Sequence, residues 1–592
     1  LLTRTTNAKG QKSDVLRNVL GETIAETMAF GTVDEATTTH QYDALGRLKW
    51  TDGPLPGPVD RIEIEYNIAG HKTRVSDPDK GVWRYHYNGF GELLCQVDAK
   101  GQGSFNTYDS LGRLTGRSER SGVTDPTSCT GTTLGTSSWT FSNEQQTGRF
   151  GQLTAESGQY TDPTVGAHLS SVSYQYDTLG RLTQKQTTLT ESGQLPVTYT
   201  ERQTYDQFGR IFQSFDASGG NRGVRHHYGP LGHLWKLQEA REGTTGLVYW
   251  ELKSMDARGQ VTQAELGNGM LLTAVYEDST GRLQDLIDAK GATVAQNLKV
   301  RWDAIGNLRY RIDNANGRNL SERFEYDDRN RLLRTFDTYG QGGSITGDLR
   351  QEQTYDVSGN IRYKSDVGHY VYLSGKPHAV SAAGGISYQY DGNGNLFQDG
   401  SGRSLQYSLR DQVVRISKGT QRTEFAYHSS GQRVVRRDLV NGSLVARTHY
   451  IGNVEVFQGS SGGRQFRRMI GGVAIATWFE STGATQVRYL HKDHLGSTTA
   501  ISNESGQVVT WMSYDPWGQR RAAASWNPWQ APPGGDLAAM LAITPRGYTG
   551  HEHVDTMGII HMNGRIYDPR LGRFLQADPL IEDTSTLNRY TY

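Results

Sequence analysis

Along most of the chain, apolar and polar residues alternate with a period of two. In Val172-Ser173-Tyr174-Gln175-Tyr176 the valine and the tyrosines share one face, and serine and glutamine share the other. That alternation, rich in aromatic and β-branched residues, is the pattern of a strand with one solvated face. The runs are punctuated by a recurring motif, Tyr-Asp-x-x-Gly-Arg-Leu. It stands at Tyr42–Leu48, Tyr108–Leu114 and Tyr176–Leu182, and Tyr205-Asp206 leads to Gly209-Arg210-Ile211. Looser copies centre on Tyr66, Tyr87, Tyr228, Tyr276, Trp302, Tyr326, Tyr355, Tyr390 and Tyr427, and Asn18-Val19-Leu20-Gly21 is a degenerate copy. Asp at the first turn position and Gly at the fourth are type I turn preferences, and the Asp side chain accepts bonds from amides ahead of it. Gly supplies the positive φ of the bulge that follows. Each repeat therefore predicts a hairpin of two strands.

A single hairpin is marginal in water, so neighbours must pair edge to edge. About 18 repeats of two strands, at roughly 4.8 Å per strand, give a ribbon on the order of 170 Å long. Sheets twist, and bulges and glycines let them curl, so the ribbon is expected to spiral into a wall that protects its edges. Helix signals are scarce; Asp536–Ala542, after Pro532-Pro533-Gly534-Gly535, is the one short candidate. The predicted fold class is all-β, a long spiralling antiparallel sheet that forms a hollow shell.

Composition sharpens this picture. Only 35% of the 592 residues are hydrophobic, and 71 are glycine. A solid globule of this size buries a larger apolar share. Disorder is not the explanation, because the chain carries 31 Tyr, 16 Phe and 11 Trp. A one-layer wall, wetted on both faces, accounts for the deficit. Lys plus Arg and Asp plus Glu number 62 each, which argues against a nucleic-acid or anionic-membrane partner. No apolar run approaches the roughly 18 residues of a membrane helix. Cys95 and Cys129 are too few for a disulfide framework and are expected to be small buried residues, in keeping with assembly in a reducing compartment. The chain begins at Leu1 and ends at Tyr592 inside a motif, and is expected to be part of a longer polypeptide.

The tandem Tyr-Asp copies resemble the Rhs/YD-repeat family, over roughly residues 10 to 450. The remainder strengthens the resemblance: Tyr489–Thr498, Tyr514-Asp515-Pro516-Trp517-Gly518-Gln519-Arg520, Tyr548-Thr549-Gly550-His551-Glu552 and Arg565–Pro579 follow the order of an Rhs-associated core. The resemblance implies a YD-repeat β-shell over 1–450 and an associated core, closing the shell like a plug, over 451–592. It implies that the shell encloses its own C-terminal toxin domain and frees it by aspartyl-type self-cleavage. It further implies synthesis in a bacterial cytoplasm followed by secretion or injection, by type VI or related machinery. Implied partners are a secretion spike or delivery subunit on the N-terminal side and a chaperone or immunity protein; no cofactor and no metal are implied. The competing expectation is a teneurin-like or wall-associated adhesion module without cargo. Such ectodomains usually carry many cysteine pairs, which two cysteines cannot supply.

Aspartic peptidase chemistry needs two carboxylates sharing one proton, one activating water and one protonating the scissile carbonyl. By resemblance the first is Asp578, in Gly572-Arg573-Phe574-Leu575-Gln576-Ala577-Asp578-Pro579, with Arg565 supporting the geometry and Asp568 the alternative. The second carboxylate and the scissile bond are expected beyond Tyr592, which leaves enzymatic activity an open question for this chain. Both Asp-Pro pairs also suit plain turns. His491, Asp493 and His494, and likewise His551, Glu552 and His553, lack metal-site spacing and are read as packed turn motifs. Asp391-Gly392-Asn393-Gly394-Asn395-Leu396 starts like a calcium loop, but has Leu396 and Gly402 where Gly and Glu belong. Ser497 lacks a nucleophile-elbow context.

Overall fold

The computed structural model describes all residues except 144–149, 163–165, 242–243, 340–345, 461, 528–535 and 581–586. Among the described residues, 44 strands join into a single sheet, and each strand pairs antiparallel with the next in sequence. Val172 is buried while Ser173 and Gln175 on the same strand, Gly166–Tyr176, are exposed, as the alternation requires. Strands of this sheet run from four residues, Leu396–Asp399, to twelve, Thr244–Met255. A six-residue helix, Asp536–Leu541, is present; the Pro532–Gly535 run expected to precede it lies outside the described residues.

The motif folds as its chemistry dictates. Asp43 Oδ1 accepts the amides of Leu45 and Arg47 at 2.9 and 3.0 Å, and Gly46 sits at φ +76°. The ladder slips one residue just before the motif tyrosine, between Gln41 and Tyr42 and again between Thr107 and Tyr108. Arg47 closes on Asp43 at 2.7 Å, lies 4.8 Å from the ring of Tyr66 in the next repeat, and donates to Asn67 O. A tyrosine hydroxyl on the wet side suits the side chain, but Tyr66, Tyr108 and Tyr176 instead donate to the carbonyls of Leu48, Leu93 and Leu153 in the preceding repeat. The carbonyl at the bulge lacks a ladder partner, so the hydroxyl supplies it.

The ribbon returns past itself. Acids of the earlier coil meet bases of the later one: Asp34 with Arg331 at 3.3 Å, Asp79 with His378 at 2.7 Å, Glu191 with His449 at 3.0 Å, Asp216 with Arg468 at 2.5 Å and Asp288 with His491 at 2.6 Å. The sequence separation across this seam falls from 299 residues at Asp79–His378 to 203 at Asp288–His491, so each turn takes less chain and the spiral tapers. Apolar contacts seal the same seam, with Leu237, Tyr249 and Met270 of the earlier coil packed against Ile470, Ala476 and Tyr489 of the later.

Core is distributed unevenly. Near the N-terminus the apolar clusters are small, such as Ile62, Val75 and Trp83. The later coil is backed by the C-terminal segment, where Ile361, Leu405, Ile416 and Phe425 pack on Val554, Ile559, Ile566 and Leu575. A one-layer wall along the first coil, with apolar backing only where the chain end folds over it, explains the low hydrophobic fraction.

The two cysteines are not separate thiols. Cys95 and Cys129 form a disulfide within a buried cluster with Val97 and Val123. Sequence spacing hid this, because the pairing depends on the connection 122–131 folding back over strand Leu93–Val97. Cysteine content therefore gives no support for a reducing compartment.

Candidate functional site

The last small sheet positions the candidate residues. Strands Glu552–Val554, Ile559–Met562, Arg565–Asp568 and Arg573–Phe574 form an antiparallel meander. The chain then leaves it along the Asp391–Asn395 turn of the later coil: Leu396 N donates to Leu575 O, Asn395 bridges Gln576, and Ala577 N donates to Gly394 O. Gly394, at φ +80°, permits this approach; a Cβ there would stand 2.6 Å from Asp79 O. The calcium-like run is thus a repeat turn, with Asp391 Oδ1 accepting the amides of Asn393 and Asn395.

Arg565 and Asp578 come together, with Nη2 3.0 Å from Oδ2. The Arg565 guanidinium also lies 3.6 Å from the ring centroid of Phe574. Burial pulls the Arg565 pKa down, and Asp578 opposes that pull. Asp578 Oδ1 accepts Leu580 N at 2.9 Å, and its side chain is 30% exposed. Asp568 lies elsewhere: Oδ2 pairs with Arg403 at 2.7 Å, and Oδ1 accepts the amides of Arg570 and Leu571.

Three groups beside Asp578 were invisible in the sequence. Arg589 Nε pairs with Asp77 Oδ2 at 3.0 Å, both side chains 1% exposed. Lys80 is buried beside them. Burial pushes its ammonium down, against Asp411 and Asp77 and, more weakly, Asp578. The run Asp77-Pro78-Asp79-Lys80-Gly81 reads as any hairpin connection, and no local signal marks it.

The histidine clusters have structural partners. His494 stacks edge-on against Trp302, and burial lowers its pKa to about 4. His553 Nε2 accepts Tyr548 N. Glu552 sits between Arg433 and Arg436 and accepts Tyr450 OH at 2.9 Å; burial works against its charge, but Arg433, Arg436 and Arg546 hold its carboxyl well below the usual range. His491 Nδ1 meets Asp288 and its Nε2 lies 2.9 Å from Ser502 Oγ, an arrangement with the connectivity of a hydrolase triad. All three are buried, and Asn268 Nδ2 donates to the same Ser502 oxygen at 2.9 Å. This trio locks the seam.

A tapering spiral of Tyr-Asp hairpins, with a C-terminal segment folded over its later coil, defines a YD-repeat shell. The Teneurin YD-shell family matches residues 482–592. Toxin subunit YenC1 of Yersinia entomophaga is 23% identical over 65% of this chain and 45% of its own length. Double-stranded DNA deaminase toxin A of Burkholderia cenocepacia is 21% identical over 92% of this chain and 40% of its own. The chain thus spans less than half the length of these relatives. In the crystal structure of TcdB2-TccC3-Cdc42, a matching fold covers 98% of this chain and 31% of that one, with a TM-score of 0.80 and 20% identity. The Photorhabdus luminescens Tc holotoxin pore matches equally, at a TM-score of 0.80 and 19% identity. Fold and relatives together make the chain similar to YD-repeat/Rhs shell proteins.

Proposed function

We propose that this chain is the shell of an Rhs-type toxin, enclosing a cargo domain of its own polypeptide and releasing it by self-cleavage. The single observation that carries this reading is the coil-on-coil seam with the C-terminal segment laid across it. A ribbon that seals against itself is built to separate an inside from an outside. In this reading residues 1–450 are the wall and 451–592 the plug-like core that closes it.

Asp578 is the first carboxylate and Arg565 its orienting partner. Asp568 is the weaker candidate, since Arg403 and two turn amides already occupy its oxygens. In the cleavage, a water oxygen adds to the scissile carbonyl carbon while one carboxylate takes the water's proton. The second carboxyl, beyond Tyr592, protonates the carbonyl oxygen. The C–N bond then breaks, the nitrogen takes up a proton, and one carboxylate and one amine result. Asp578→Asn, introduced in the polypeptide as the cell makes it, is expected to abolish processing on gels. Normal processing of that variant would refute the assignment.

A shell or delivery partner seats on the turn edge of the first coil. The third turn position there is large and bare: Leu45 is 72% exposed, Phe90 93% and Leu231 92%. On the later coil the same position is polar and buried at Ser358 and Asn393, while Leu495 is 47% exposed. Continuity of the seam supports another ribbon edge of the same class as the occupant.

A further inference from the structure

Arg589 touches both sides of the Asp578-Pro579 step. Its carbonyl accepts Asp578 N at 2.9 Å and Arg565 Nη1 at 3.2 Å, and its own Nη1 donates to Leu580 O at 3.2 Å. The guanidinium that makes the last of these bonds is anchored on Asp77, 512 residues away in the first coil. Asp77 is itself fixed: its Oδ1 accepts the amides of Asp79 and Lys80 at 2.8 and 3.1 Å. Asp79 in turn is locked to the later coil, its Oδ2 on His378 Nδ1 and its carbonyl accepting Lys376 Nζ at 2.6 Å. Tyr590, next in sequence, donates its hydroxyl to Gly394 O at 2.8 Å. The segment carrying Asp578 is therefore held jointly by both coils; the first coil holds it through one buried ion pair beside the packing of Leu587 on Ile62, Val75 and Trp83.

A buried pair of this kind is a poor source of net stability, because desolvating two charges offsets their attraction; its value lies in fixing one geometry. We infer that Asp77 is a positioning residue for the self-cleavage: through Arg589 it sets the Asp578–Arg565 pair, so that cleavage becomes competent only when the first coil has closed against the later one. This rests on the reading of Asp578 as a cleavage carboxylate. Chemically it orders events. The bond to the cargo is not cut while the wall that encloses it is open.

The test follows processing over time in the full polypeptide, with melting and limited proteolysis to confirm folding. Asp77→Asn keeps the volume and the turn acceptor but removes the charge that anchors Arg589. It is expected to slow cleavage by on the order of 10²-fold, the cost of a small misplacement. Asp77→Glu restores the carboxylate and is expected to recover most of the rate. Asp216→Asn breaks the seam pair with Arg468, remote in sequence from the cleavage residues, and is expected to cleave at the parent rate. Arg589→Lys keeps a charge for Asp77 but loses the fork that also reaches Leu580, and is expected to cleave slowly while melting normally. Parent-rate cleavage by Asp77→Asn or by Arg589→Lys overturns the inference, as does equal slowing by Asp216→Asn. Asp578→Asn separates the two levels. If it still cleaves, the underlying reading fails. If it is dead while Asp77→Asn is normal, only the positioning role fails.

Discussion

Asp515 and Asp43 occupy the same place in the same motif, yet their carboxylates live in different fields. Asp43 faces Arg47 near the surface, and that pairing and the turn amides lower its pKa. Asp515 accepts the amides of Trp517 and Gln519 at 2.9 and 2.8 Å, but burial raises its pKa to about 6, with Lys364 only partly opposing. A carboxyl whose folded pKa is raised costs nothing below the unfolded value, loses stability as pH climbs from about 4 to about 6, and carries a constant penalty above. Asp515→Asn keeps the amide acceptor and removes the charge. Asp515 borders an open cavity of about 260 Å³, so water screens part of the penalty. The expected gain is about 1–2 kcal/mol at pH 8 and near zero at pH 4, read from melting at the two pH values. An equal shift at both would dismiss the electrostatic account. The motif was legible at Asp515; its environment was not, because Lys364 and the closing segment arrive from elsewhere in the chain.

At the scale of the hairpin, the tyrosine is the bond between repeats. Tyr326 OH donates to Leu308 O at 2.9 Å, as its counterparts do around the coil. Tyr326→Phe keeps the ring and strands a carbonyl, which costs about 1 kcal/mol. In a stacked repeat array each unit leans mainly on its neighbours. The loss is therefore expected as faster amide exchange in strands Leu308–Asp313 and Leu320–Tyr326, with distant repeats unchanged. Uniformly faster exchange over the whole chain would contradict it. Strands, turns and bulges could be read from sequence because Asp, Gly and the alternating aromatics act within seven residues. The hydroxyl's target could not, since it depends on which strand lies alongside.

For the whole molecule the governing feature is the seam, and what it leaves bare. Buried turns carry Ser358 and Asn393, while exposed ones carry Leu45, Phe90 and Leu231. Phe90→Asp with Leu231→Asp is expected to leave melting within about 0.5 kcal/mol of the parent, as surface changes do. The same pair is expected to weaken association with a shell partner at least tenfold, measured by binding titration. Unchanged association would show that the rim is not the docking edge.

The amino-acid sequence by itself determined the hairpins and their tandem order, because every interaction that makes them is local. It also implied a thin wall, through the scarcity of apolar residues. Tertiary structure alone decided the taper, the Cys95–Cys129 bond, the acid-to-base seam and the company of Asp578. Those features join residues distant in the chain, 34 positions apart at the disulfide and 512 at Asp77–Arg589, and no periodicity encodes where a curling ribbon meets itself.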